Sequence, residues 1–180
     1  MNIFYLSNNQ EECAKWHMDR HCVKMILEYA QLLSTAHKVL DGHEVTVKTD
    51  SGKLRKILEL DGDINSHYYK ATHINHPSAI WARQSVENYK WLATLLEHLC
   101  HEYTYRYGKV HKVEASGMLQ WLLKTPKNIL KHSFTQPLCA MDSDYKISSD
   151  AITNYQNYYI RGKAHLAKWK NREIPTWYHT

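Results

Sequence analysis

Cysteine, glycine, proline and phenylalanine are all sparse: four, six, four and two in 180 residues. Cys13, Cys22, Cys100 and Cys139 show no CxxC spacing, so neither a zinc ribbon nor a dithiol redox motif is encoded. The thiols read as free, in a reducing compartment, and two of them as small core residues of helices. The few glycines form no GxGxxG and no Walker loop, and Ser34 and Thr35 lack the glycines of a nucleophile elbow. A dinucleotide cradle, a P-loop and a hydrolase triad are therefore not indicated. No apolar run approaches the about 20 residues of a membrane span. The stretch Met1-Asn2-Ile3-Phe4-Tyr5-Leu6 lacks both a basic leader and a long apolar core. A cytoplasmic protein with no membrane partner is expected.

What is plentiful is tyrosine, tryptophan and histidine, with 13, 6 and 13 copies. Tyr and Trp join an apolar body to a polar tip, which suits wet interfaces and base stacking as well as cores. The net charge of +5 favours an anionic partner. Length and composition fit one globular domain over residues 1–180. The expected fold class is mainly α: a compact single domain with two long helices and a small β-hairpin insertion.

The first of those helices is predicted over residues 13–40. At about 100° per residue, His17, His21, Lys24, Glu28 and Gln31 fall on one narrow stripe. Most of the remaining circumference is apolar, including Trp16, Cys22, Val23, Met25, Ile26, Leu27, Tyr29, Leu32 and Leu33. Such a helix is buried on most sides, so its polar seam should line a cleft. A desolvated carboxylate beside Lys and His is a tunable acid or base, which makes the stripe a candidate catalytic set. The alternative is an interior polar network that only fixes packing. His17 and His21 have i, i+4 spacing, and His73/His76 or His98/His101 offer further ligands. HxxxH without a paired carboxylate is a weak metal signal, and no metal and no cofactor is expected.

Further along, Ser7-Asn8-Asn9 offers helix caps, and Asp41-Gly42 ends the first helix. Residues 43–60 read as a β-hairpin turning at Asp50-Ser51-Gly52, with a charged helix over 54–60 as rival. Asn75-His76-Pro77 launches a second long helix, predicted as one piece over 78–107 and stopped by Gly108. A shorter helix over 114–123 and a looping stretch over 124–146 follow. Asp150 caps a last helix predicted to reach about Trp169. Lys124, Lys127, Lys131, Lys163, Lys168, Lys170 and Arg172, interleaved with aromatics, form a candidate phosphate-contacting surface.

The ordered set Asp19-Arg20-xxx-Lys24-xxx-Glu28-xx-Gln31, Asn75-His76-Pro77-Ser78-Ala79-Ile80-Trp81, Cys100-His101-Glu102-Tyr103-Thr104-Tyr105-Arg106-Tyr107-Gly108 and Pro175-x-Trp177-Tyr178 resembles the pyrimidine-dimer DNA glycosylase (endonuclease V-like) family and its uncharacterised phage and bacterial relatives. The resemblance covers both long helices and the tail but not residues 43–60. It implies a monomeric helical enzyme that grips DNA and cleaves the base–sugar bond of a damaged or modified pyrimidine. Glu28 would be the catalytic glutamate, with Lys24, His21, His17 and Gln31 around it. Asp19, Arg20, His76, Trp81, Arg83, Lys168, Arg172, Trp177 and Tyr178 would contact DNA. The family attacks with an N-terminal amine exposed by Met removal, whereas Asn2 is too large for normal excision. Activated water is therefore the expected nucleophile, with the Met1 amine as alternative. A non-catalytic DNA-binding protein, a DNA-base transferase or a His-ligated metal enzyme are the competing readings.

Overall fold

Arg106, within the aromatic-rich Tyr103–Tyr107 run, spans the point where the first helix breaks. A computed structural model describes residues 1–179, and in it the predicted helix over 13–40 is two helices, α1 (Gln10–Trp16) and α2 (Asp19–Asp41). His17 and Met18 between them are extended (ψ 129° and 154°). In an unbroken helix the Asp19 amide would donate to the Lys15 carbonyl. Here it donates to Lys168 O at 2.8 Å, while Arg106 Nη2 takes Lys15 O and Nη1 takes His17 O, both at 2.8 Å. A guanidinium has five fixed donors, so one buried side chain serves the carbonyls that the break leaves open.

The second predicted helix is also divided, into α3 (Pro77–Gln84) and α4 (Val86–Tyr107). Ser85 between them is extended, and its hydroxyl caps α4 by accepting from Asn88 N at 3.1 Å. Asn88 then donates to Trp81 O and to Thr135 Oγ1, tying both helices to the loop after residue 123. Gly108 closes α4 at φ +63°, the left-handed conformation expected of a C-terminal glycine. The predicted helix over 114–123 is α5 (Lys112–Ala115) and α6 (Met118–Leu122). Gly117, at φ +76°, separates them.

The hairpin is β1 (His43–Lys48) paired antiparallel with β2 (Leu54–Glu59), in register from His43↔Glu59 to Lys48↔Leu54. It is the one sheet among the described residues, and the chain is otherwise mainly helical. No described helix is long and apolar enough to cross a membrane.

Helix α2 is central, packing on α3, α4 and α6. Ile3, Phe4, Tyr5 and Leu6 are buried beside it outside any helix or strand. Their backbone is held by side chains: Phe4 N donates to Tyr29 Oη at 3.0 Å, and Leu6 O accepts from Gln156 Nε2 at 3.0 Å. Gln156 belongs to α7 (Ala151–Gly162), which Asp150 caps by accepting from Thr153 N. The predicted extension of α7 to Trp169 is absent. A 3-10 turn over Ala164–Leu166 follows, and then the tail returns across α1 and α4. Trp169 Nε1 donates to Trp16 O, Tyr105 Oη to Asn171 O, and Arg172 forms two bonds to Glu102.

Candidate functional site

Part of the polar stripe expected on the first helix, His21, Lys24 and Glu28, lines a cleft. His21, Lys24, Met25 and Glu28 form one wall, Met1, Asn2 and Phe4 a second, and Tyr158 with Lys163 a third, around a volume of about 140 Å³. Each wall has an identifiable support. Ser78, buried near the start of α3, donates to the Met1 carbonyl at 3.0 Å. The Phe4 ring stacks on His21 at 4.2 Å and 17°. At the end of α7, a Cβ on Gly162 would lie 2.6 Å from the Tyr158 ring, so only glycine lets that ring lie where it does. Lys163 Nζ stands 5.0 Å over the same ring.

Within the cleft Glu28 Oε1 lies 3.0 Å from Lys24 Nζ, and the two side chains are 15% and 69% exposed. The carboxylate is therefore set into the wall while the ammonium reaches toward solvent. His21 Nδ1 is 2.7 Å from Tyr159 Oη. Burial drives the His21 pKa down to about 3, assisted by the positive fields of Lys163 and Lys24, so its imidazole is neutral at pH 7. His76 caps α3 through its ring nitrogen. Its pKa is lowered, first by burial and then by the positive charge at Met1, with Glu28 opposing. Thus Met1, Glu28, His21, Lys24, Lys163 and His76 share one electrostatic neighbourhood. It offers a carboxylate to take a proton, a neutral imidazole and two cations suited to phosphate.

Other predicted site residues are placed elsewhere. His17 leaves the stripe because the helix breaks at it; its ring is fully buried, with Nδ1 on Cys13 O and Nε2 on Tyr29 Oη. Gln31 is half-buried and does not line the cleft. Trp81 is 2% exposed and donates to Thr135 O, which leaves almost no ring surface for a duplex. Arg83 is committed to Ile74 O at 2.7 Å. Asp19 accepts from Arg106 and from Lys170 N, and Arg172 is bound to Glu102. These residues hold the tail in place. Trp177 packs on Trp16 and Tyr159, and Tyr178, buried, on Trp169. Arg20 and Lys168 are exposed. Val23 and Leu27, assigned to the buried circumference by periodicity, are 40% and 41% exposed.

Phe4 and Tyr158 are cleft residues that sequence patterning did not single out. The Tyr155, Tyr158, Tyr159 spacing was a usable signal, since i, i+3 and i+4 share a helix face. Among the described residues no three His, Cys, Asp or Glu side chains converge as metal ligands.

Two of the three buried histidines, His17 and His21, make an acid-lability prediction. Burial lowers His17 to about 4 and His21 to about 3, while the unfolded chain titrates near 6.5. Below that value the unfolded state binds protons that the folded state refuses, so stability falls as pH falls. Each histidine contributes a slope of about 1.4 kcal/mol per pH unit until its folded pKa is reached. Urea unfolding at pH 7, 6, 5 and 4 should show a steepening loss below pH 6. Equal stability at pH 7 and 5 would contradict the neutral buried pair.

Set against family models, curated proteins and solved structures, the chain has no match.

Proposed function

We propose that the chain is a DNA glycosylase that removes a damaged or modified pyrimidine by cleaving its base–sugar bond at the Glu28 cleft. The observation that carries this reading is a single recessed carboxylate flanked by Lys24, Lys163 and neutral His21. At about 140 Å³ the cleft is smaller than the about 300–1,000 Å³ of typical small-molecule pockets. It suits the edge of a sugar and an attacking water rather than a whole nucleotide. Glu28 accepts the proton as water adds to the anomeric carbon, and its charge stabilises the cationic sugar as the base departs with the bonding electron pair. Lys24 and Lys163 take the flanking phosphates.

A second route runs through the same cleft, because Met1 lines it with its carbonyl fixed by Ser78. A free amine there would attack the anomeric carbon in place of water and displace the base with the bonding electron pair; opening of the ring C–O bond then leaves an imine, with Glu28 as the acceptor of the amine's proton.

Salt dependence tests the phosphate assignments. Lys24→Gln, Lys163→Gln and Lys168→Gln should each lower the slope of log K against log salt by about 0.9. Arg83→Gln and Arg172→Gln should change it less, since their guanidinium groups are engaged within the protein. Equal slopes for all five variants and the wild type would remove the nucleic-acid reading.

A further inference from the structure

The solvent face of α2 carries a pattern that the cleft uses only through Lys24. Arg20, Val23, Lys24 and Leu27 stand at i, i+3, i+4 and i+7, all exposed, so two large aliphatic side chains alternate with two cations on one face. A groove of about 350 Å³ lined by Asp19, Arg20, Val23, Lys24 and Tyr107 opens on the same face. It shares Lys24 with the Glu28 cleft. Lys170 Nζ lies 5.3 Å over the Tyr107 ring at its rim. The one carboxylate in the groove, Asp19, is occupied by Arg106 and by the Lys170 amide. Val23 thus sits in the groove with Arg20 and Lys24, Leu27 follows one turn along the same face, and Lys170 stands over Tyr107, while the groove's one carboxylate is engaged within the protein. That combination complements a polyanion with an apolar interior better than it does an ordinary protein surface.

We propose that Val23 and Leu27 form an apolar wedge that enters the base stack of duplex DNA beside the nucleotide whose sugar reaches Glu28. The proposal rests on the glycosylase reading and supplies what the small cleft lacks. A base held in a duplex cannot present its sugar bond without leaving the stack, and unstacking costs a few kcal/mol per step. Aliphatic side chains filling the vacated space offset part of that cost, while Arg20 and Lys24 hold the phosphates on either side.

Both residues are exposed, so Val23→Ala with Leu27→Ala should leave the fold intact, which circular dichroism checks. Base release is compared on one modified pyrimidine presented in a duplex and in a single strand. Unstacking is read separately from 2-aminopurine fluorescence beside that position. The double variant should lose about tenfold in rate on the duplex and stay within about twofold on the single strand, where no stack need be opened. The rise in fluorescence on binding should disappear with it. Equal losses on both substrates, or none, would overturn the wedge. So would a self-association that the variant abolishes while duplex processing is unchanged, which would assign the face to a second copy of the chain. If the wild type releases no base from any substrate, the glycosylase reading fails. The fluorescence arm then decides the wedge alone: unstacking lost in the variant supports it, and no unstacking by wild type overturns it.

Discussion

Glu28→Gln is expected to keep the fold and DNA affinity while lowering base release by at least about 100-fold, the lower range for losing a positioned acid or base. The substitution is isosteric and lies at a cleft wall, where the side chain is 15% exposed and touches Lys24, so no core cavity is made. Losing a partner for the exposed Lys24 ammonium costs little, because that group stays hydrated. Stability by urea unfolding should therefore stay within about 1 kcal/mol of wild type. A rate within about threefold of wild type, equal to about 0.6 kcal/mol of barrier, would remove Glu28 from the chemistry. Unfolding of the variant would reassign it to structure.

The largest effect on stability is expected at Arg106. Its side chain is fully buried and bonds Glu102, Asp19, His17 O and Lys15 O. Glu102 is nearly as buried and is shared with Arg172. Although burial acts to raise the Glu102 pKa, hydrogen bonds from Arg172 and Arg106 hold it below the ordinary carboxylate range. Removing Arg106 leaves a buried carboxylate short of a partner and opens the α1–α2 break, so Arg106→Leu should cost about 3–5 kcal/mol. Replacing Glu102 by Leu as well should recover part of the loss, because the stranded charge goes with it. A loss under about 1 kcal/mol in urea unfolding would show that the break is held by other contacts.

Much of the fold was legible along the chain because local rules governed it. The hairpin over 43–60, the stop at Gly108 and the Asp150 cap follow from turn and cap chemistry acting within a few residues. The helix breaks at His17 and Ser85 were not legible. Neither carries a proline or glycine, and the first is held by Arg106, 89 residues away from His17. The polar stripe was located by periodicity, and its members His21, Lys24 and Glu28 do meet in one cleft. His17 dropped out when the break reset the helical phase. The third wall came from α7, whose approach to α2 depends on Tyr159 and on Gly162 admitting Tyr158. Arg172, expected in a phosphate-contacting surface, and Trp177 and Tyr178, expected from the resemblance to contact DNA, make tertiary contacts that hold the tail.

The most direct measurement is release of free base. The wild-type protein is incubated with a panel of duplexes carrying damaged or hypermodified pyrimidines, with and without borohydride, and the products are separated by chromatography and gel. Free base is expected from at least one duplex with wild type and from none with Glu28→Gln. Water attack would leave an uncut abasic strand, and the amine route a borohydride-trapped link that maps to Met1. No base from any duplex, or base release unaffected by Glu28→Gln, would contradict the assignment of base release to Glu28.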